Sequence, residues 1–469
     1  MASIQSLDTK KYWQLTLKQL SEGLLNREFT PIDIFNSFEK RIETINPLVN
    51  AYCYLNPLAK KQAQQSTKRW LHNKQLSQYD GIPVAIKDNI SVADMPTVWG
   101  NEGLKNSIAQ KSEPAVTSLL NAGMIVLGKT NVPELTLDGI TQNEVFGTTF
   151  NPLDLETTPG GSSGGSVSAV ASGMAPCALG TDGGGSIRRP CAHTNLFGLK
   201  TSAELISRED GLPRILMDFE TIGPITRNYE DLVLMTDLLL NETTHISEIK
   251  SNENNKILLV THINDQPVDV NIEQQTIGFS KKLQASGFDV KHSSLPIDLN
   301  FYFDFWPKLG EIAVACAFEK LPMMKSYTCD RFLEMEKKGN KHSAIMLMNA
   351  WQEVTLLRQK INELFKQYDY ILMPSIAATA WPANLTFPPL INNVSVGPRG
   401  HALFTGWVNM AGLPAVALPI GFDDEEKSIG IQIIGKYGSD LNLIKICQKI
   451  QALCTNWNWN DLDKSLINE

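Results

Sequence analysis

Two glycine-serine clusters carry the residue types that could do chemistry: Gly160-Gly161-Ser162-Ser163-Gly164-Gly165-Ser166 and Gly183-Gly184-Gly185-Ser186. Glycine lets backbone N–H groups come close to a bound group and tolerates positive φ. Several such N–H groups beside one serine would make an oxyanion hole next to a nucleophile. A pair of flexible Gly/Ser loops is the plain alternative. It fits poorly, because the clusters alternate with apolar runs such as Val167 to Ala171. The second cluster is also framed by Thr181-Asp182 and by Ile187-Arg188-Arg189. A third candidate is Lys87, at the end of the apolar run Ile82 to Ile86. Burial there would lower its pKa. A solvated lysine at a strand end is the competing reading, and local sequence alone favours it. His193, seven positions after Ser186, reads as a structural polar residue rather than a base.

Two pattern matches mislead. Gly123 to Thr130 fits the P-loop spacing, but its four intervening residues are apolar and read as a strand, not a phosphate-wrapping loop. GxSxG fits twice, centred on Ser162 and on Ser163. A nucleophile elbow needs a buried strand just before it. Asp154 to Pro159 is not one.

The elements that must position these residues follow from periodicity. Residues 15–45 have apolar positions at helical spacing, with a helix start at Thr30-Pro31. Tyr52 to Leu55 reads as a strand and Pro57 to about Asn73 as a helix. Ala115 to Asn121 is a helix before a strand at Met124 to Leu127. Ser166 to Met174 suits a small-residue helix, and Pro176 to Leu179 a strand that delivers Thr181-Asp182 into the second cluster. Ile257 to Val260, Ile272 to Ser286 and Phe288 to Val290 form a strand–helix–strand unit. Residues 300–366 are mostly helical. Tyr370 to Pro374 and Ile431 to Ile434 are strands, Pro382 to Arg399 is a loop, and Asp440 to Cys454 closes the chain as a helix. Alternating strands and helices predict an α/β fold.

The chain has 469 residues, 42% of them hydrophobic, enough for a large core. Its net charge of −8 argues against a dedicated nucleic-acid binder. There is no apolar leader at the N-terminus and no uncharged apolar run of membrane-spanning length. The seven cysteines are scattered, without CxxC pairs. Buried free thiols in a reducing cytoplasm are the expectation, and no zinc site is expected.

Taken together, Lys87, the first cluster and the run Gly180-Thr181-Asp182 to Arg188 resemble the amidase signature family. The resemblance is strongest from Asp80 to Ser202. It recurs at Phe404 to Pro414 and at Ile429 to Gly435, and it covers most of the chain. The intervals from position 87 to 162 and from 162 to 186 match the ladder that family uses, which reverses the preference for a solvated Lys87. The resemblance implies one α/β/α domain spanning residues 1–469, with a mixed many-stranded sheet covered by helices. Within it, residues 1–75 are a helical N-terminal part, 80–202 the signature core, and about 245–366 a peripheral α/β and helical part. It further implies a triad: Ser186 the nucleophile, Ser162 the bridging serine after a cis peptide, Lys87 the base. Gly183, Gly184 and Gly185, with Ser186, would supply the oxyanion hole, and Ser163, Asp182 and Arg188 would hold the loops in shape. No cofactor or metal is called for. The expected partner is a small-molecule amide, with a homodimer left open and neither nucleic acid nor membrane involved. The implied activity is hydrolysis of carboxylic amides through an acyl-serine. The alternative is the glutaminase subunit of the tRNA-dependent amidotransferase, of the same family. Those subunits usually carry Asp where this chain has Ala402, and Thr where it has Gly183. A non-catalytic binding protein on the same scaffold is the reading from another class. For Trp381, Phe404 and Trp407 two readings stand open, an apolar or aryl acyl pocket and plain core.

Overall fold

The computed structural model describes residues 11–209, 211–240, 255–459, 462 and 466. Its centre is one eleven-stranded mixed sheet. In spatial order the strands are Tyr52–Leu55, Ile125–Thr130, Pro83–Lys87, Cys177–Asp182, Thr221–Thr226, Phe197–Lys200, Ala415–Phe422, Ser428–Ile434, Tyr370–Pro374, Lys256–Leu259 and Asp289–His292. Pro83–Lys87 runs parallel to both of its neighbours, so Lys87 and Asp182 emerge at the same end of the sheet. Strands Lys256–Leu259 and Asp289–His292 finish the far edge in parallel. This is the α/β fold with a large mixed sheet and flanking helices that the sequence predicts.

Local chemistry explains the element ends. Thr30 and Asp33 cap the helix Pro31–Val49 reciprocally, with Pro31 at its first turn. Thr16 and Gln19 do the same for Leu17–Leu25. The helix Gly164–Ala171 is buried along its whole length. It lies so close to Asn131 that a Cβ on Gly165 would sit 2.4 Å from the Asn131 backbone nitrogen. Two central strands, Phe197–Lys200 and Thr221–Thr226, were not anticipated as strands. Both carry glycine, and the second also proline, residues that weaken strand signals.

The apolar core gathers in two large clusters along the sheet. One joins the helix Pro31–Val49 to the strands around Pro83–Lys87. The other joins the far strands to the helices Val270–Ala285 and Ala344–Leu364. A third, smaller cluster packs Trp99 and Leu135 on Val314, Phe318 and Phe332. All seven cysteines are free thiols; four are buried, but Cys329 is exposed, against the expectation of burial. Among the described residues no helix is long and apolar enough to cross a membrane.

Candidate active site

Strand Pro83–Lys87 is buried at every position, and its last side chain ends inside the protein. Lys87 is 0% exposed. Its Nζ lies 2.8 Å from Ser162 Oγ, 2.8 Å from Thr181 Oγ1 and 3.1 Å from the Thr181 carbonyl. Burial pushes its pKa down to about 7, although Glu220 and Asp182 pull the other way. The solvated lysine is thereby ruled out.

Ser162 follows a cis peptide bond from Gly161. A Cβ on Gly161 would meet the Ile140 carbonyl oxygen at 2.3 Å, so only glycine fits there. The next residue joins the two clusters. Ser163 donates through its N–H to the Ser186 carbonyl at 3.2 Å and through Oγ to the Thr181 carbonyl at 3.1 Å.

The second loop is wound around Asp182. Its carboxylate accepts from the N–H of Gly185 at 2.7 Å and of Ile187 at 3.1 Å, and from Arg188 Nε at 3.0 Å and Nη2 at 2.9 Å. Burial alone would raise the Asp182 pKa. The Arg188 charge, with hydrogen bonds from Arg188 and Asn409, holds it well below the usual carboxylate range. Asn409 Nδ2 also donates to the Asp182 and Phe219 carbonyls at 2.8 and 3.0 Å. Gln432 accepts from Arg188 Nη1 at 2.7 Å and donates to the Phe404 carbonyl at 2.8 Å. The two C-terminal motifs thus clamp the loop from the other side. Gly185 has φ +115°, and a Cβ there would sit 2.3 Å from Thr405 Oγ1. Its N–H is committed to Asp182, which removes it from the expected set of oxyanion donors. The N–H groups of Gly183, Gly184 and Ser186 have no hydrogen-bond partner among the described residues.

Ser162, Thr181, Gly183, Gly184 and Ser186 line one cavity of about 690 Å³. Ser162 and Ser186 thus share a wall, although no hydrogen bond among the described residues joins their hydroxyls. The apolar side is formed by Leu216, Trp306, Phe332 and Phe387. Of the two readings open for Trp381, Phe404 and Trp407, the structure takes the core one: they are buried core residues that do not line the cavity. They read as pocket-forming because they neighbour the motif in sequence. Trp381 and Phe404, in the connecting segments, and Trp407, on the short helix Gly406–Met410, pack into the large core cluster instead. His193 is buried, donates from Nε2 to the Ala378 carbonyl at 3.2 Å, and does not line the cavity. Burial lowers its pKa to about 4.

Several polar neighbours escaped the sequence reading. Asn89 donates to Thr181 Oγ1 at 3.1 Å and to Glu220 at 2.9 Å, and Glu220 pairs with Arg208 at 2.9 Å. Asn89 directly follows the Lys87-Asp88 pair, a usable signal. Glu220 and Arg208 sit in unpatterned sequence and carried none. Among the described residues no group of three or more His, Cys, Asp or Glu is placed to hold a metal ion.

Comparison with known proteins bears on the family and the fold. The family described as Amidase matches residues 33–444. A glutamyl-tRNA(Gln) amidotransferase subunit from Sulfurihydrogenibium sp. (strain YO3AOP1) is 28% identical, over 94% of this chain and 97% of that protein. A crystal structure of an amidase superposes with a TM-score of 0.86 at 26% identity, over 94% of this chain and all of that one. A bacterial aryl acylamidase of the amidase signature enzymes has the same fold, with a TM-score of 0.87 at 23% identity over 98% of this chain and 99% of that one.

Proposed function

The chain belongs to the amidase signature family, and from that premise we propose that it is a stand-alone serine amidase, cleaving carboxylic amides through an acyl-Ser186. The observation that carries this reading is the 2.8 Å contact of buried Lys87 Nζ with Ser162 Oγ, in a cavity that also presents Ser186. At neutral pH a lysine with its pKa near 7 is about half free base. Free Lys87 takes the proton of Ser162, and Ser162 takes that of Ser186. The Ser186 oxygen adds to the amide carbon. The resulting oxyanion sits against the unpartnered N–H groups of Gly183, Gly184 and Ser186. The relay then returns a proton to the amine nitrogen, which leaves as a neutral amine or ammonia. Water enters by the same route, giving its proton to the relay, and frees the acid.

Asp182 and Arg188 hold the loop and touch no reacting atom in this scheme. Ser163 does the same between the two clusters.

A second reading is favoured by the name of the Sulfurihydrogenibium relative: the glutaminase subunit of an amidotransferase. Ala402 weighs against it. The residue is 2% exposed, does not line the cavity, and offers no carboxylate to a substrate amine.

The test is labelling with a fluorophosphonate, followed by peptide mapping. The adduct is expected on Ser186. An adduct on Ser162 or Ser163 with Ser186 untouched overturns the assignment. Ammonia release from glutamine only in the presence of partner subunits would favour the second reading.

A further inference from the structure

Most charged groups on the cavity wall have a partner. Asp138 is held by Arg331 at 2.7 and 2.6 Å, Glu311 by His342 at 2.7 Å, Glu220 by Arg208 at 2.9 Å, and Glu134 accepts from Asn101 at 2.6 Å. Glu144 is solvent-exposed. Two arginines on the same wall have no carboxylate within ion-pair distance among the described residues.

Arg189 is 4% exposed. Its Nη1 donates to Nε2 of His401 at 2.9 Å, its Nη2 reaches the Gly161 carbonyl only at 3.5 Å, and its Nε has no partner among the described residues. His401 is no counter-ion. Burial, with the charges of Arg189 and Arg399, keeps it neutral, its pKa well below the ordinary value. Arg399 lies over the Trp306 ring at 5.4 Å, and its Nη2 is buried without a partner. The nearest acid on the loop, Asp182, is already engaged by Arg188.

Both guanidinium groups border the glycine loop. A Cβ on Gly185 would stand 2.7 Å from Arg189 Nε. A Cβ on Gly184 would stand 2.7 Å from the Trp306 ring, on which Arg399 rests. A buried charge without a partner is costly, and two of like sign beside each other cost more. The guanidinium fork matches a carboxylate better than any other side chain does.

We propose that Arg189 and Arg399 bind a carboxylate on the substrate, so that this amidase acts on amides bearing an anionic group a few bonds from the scissile carbonyl. The proposal rests on the amidase reading for the reaction and on the arginine pair alone for the anion. The substrate class is the half-amide of a short dicarboxylic acid. It is distinct from glutamine, because the wall carboxylates Glu134, Asp138, Glu220 and Glu311 are each engaged and Glu144 is solvent-exposed, which leaves no buried carboxylate on the wall free to take an α-amino group.

The experiment compares ammonia release by the full chain from succinamate, glutaramate, glutamine and 4-methylpentanamide. The last replaces the carboxylate of succinamate by a neutral isopropyl group. Glutaramate is glutamine without its amine. The wild type is expected to turn over the two half-amides with kcat/KM at least about 100-fold above the neutral amide, from the worth of a buried charge pair. Arg189→Gln should lower kcat/KM for the half-amides by about 100-fold, mostly in KM, and leave 4-methylpentanamide within a few-fold. Arg399→Gln, a change at a partly exposed position, should do the same to a lesser degree and keeps the test alive should Arg189→Gln not fold. Calorimetric binding of succinate to Ser186→Ala separates the two layers. Saturable binding that Arg399→Gln weakens, without turnover of any amide by the wild type, sustains the anion site and overturns the amidase reading. Efficient hydrolysis of 4-methylpentanamide with no preference for the half-amides overturns the anion site and leaves the amidase reading standing. A preference for glutamine over glutaramate also overturns it.

Discussion

Lys87 and Lys200 are near twins in everything but their partners. Each ends a buried strand of the same sheet, Pro83–Lys87 and Phe197–Lys200. Each is 0% exposed, and burial brings each pKa down to about 7. Lys200 Nζ donates to two backbone carbonyls, those of Thr201 at 2.7 Å and Leu413 at 2.8 Å. Lys87 Nζ faces two hydroxyls, those of Ser162 and Thr181. A carbonyl oxygen has no proton to give. A hydroxyl has one. The depressed pKa makes both lysines available as free base, and only the partner decides whether a base has anything to act on. A third buried lysine, Lys129, differs from both: Asp88 lies 3.7 Å away and favours its charged form, and its donors go to the Asp88 and Pro96 carbonyls and to the Thr97 hydroxyl, none of which lines the cavity.

The comparison breaks most sharply at turnover. Lys87→Met keeps the stem and deletes the base. Loss of a general base costs about 100- to 10,000-fold, so kcat on a primary amide should fall by that much while the melting temperature shows a folded protein. Lys87→Arg should fail equally, since guanidinium keeps its proton. Lys200→Met should leave kcat within a few-fold. If Lys200→Met loses activity as Lys87→Met does, the distinction between hydroxyl and carbonyl partners is wrong.

Stability against pH should treat the two lysines alike. Unfolded, a lysine titrates near about 10.4; folded, each of these titrates near 7. Between those values the unfolded chain binds more protons than the folded one. Stability therefore rises with pH through that window, and the cost of burying the charge is fully present below about 7. Denaturant midpoints measured from pH 6 to 10 should rise in the wild type. The rise should shrink by a similar amount in Lys87→Met and in Lys200→Met. A change confined to one variant would show that the two environments differ in more than their hydrogen-bond partners.

The two glycine-serine loops were legible because their geometry demands particular residues. Gly161 and Gly185 admit no side chain, so glycine itself marks those positions, and the Asp182–Arg188 pair closes its loop within seven residues, a constraint written locally. The alternation of strands and helices was legible for the same reason. What escaped was set by long-range contact. Strand Thr221–Thr226, with its glycine and proline, is held by its neighbours Cys177–Asp182 and Phe197–Lys200 rather than by its own propensity. Arg189 sits beside Arg188 in sequence, yet one turns to Asp182 and the other to the cavity, and nothing in Ile187-Arg188-Arg189 tells them apart. Glu220 and Arg399 reach the site from loops with no motif. The aromatic residues nearest the C-terminal motif are core, while Trp306 and Phe332, far off in sequence, make the wall.

The finest probe of the lysine comparison is Thr181. Its Oγ1 accepts from Lys87 Nζ at 2.8 Å and from Asn89 Nδ2 at 3.1 Å. Its own proton has acceptors on the side away from Lys87, Asn89 Oδ1 at 3.4 Å and the Glu220 carboxylate. Thr181 therefore stabilises the ammonium form of Lys87 and cannot stabilise the amine. Thr181→Val keeps the shape and removes that acceptor. A hydrogen bond to the charged form favours it, so its loss disfavours the ammonium, and the Lys87 pKa falls further. Activity rises with pH as Lys87 loses its proton, so the acid limb of kcat/KM should move to lower pH. The displacement should be about one unit or less, the worth of one hydrogen bond to a charged group after solvent and relaxation take their share. Above the limb, kcat should fall only several-fold, because Ser162 still holds Nζ. A limb that moves to higher pH would mean that Thr181 donates to the free amine, which would place the resting proton on the serine side of the relay. A limb that does not move while Lys87→Met is inactive would mean that the Thr181 carbonyl and Ser162 alone set the lysine's proton affinity.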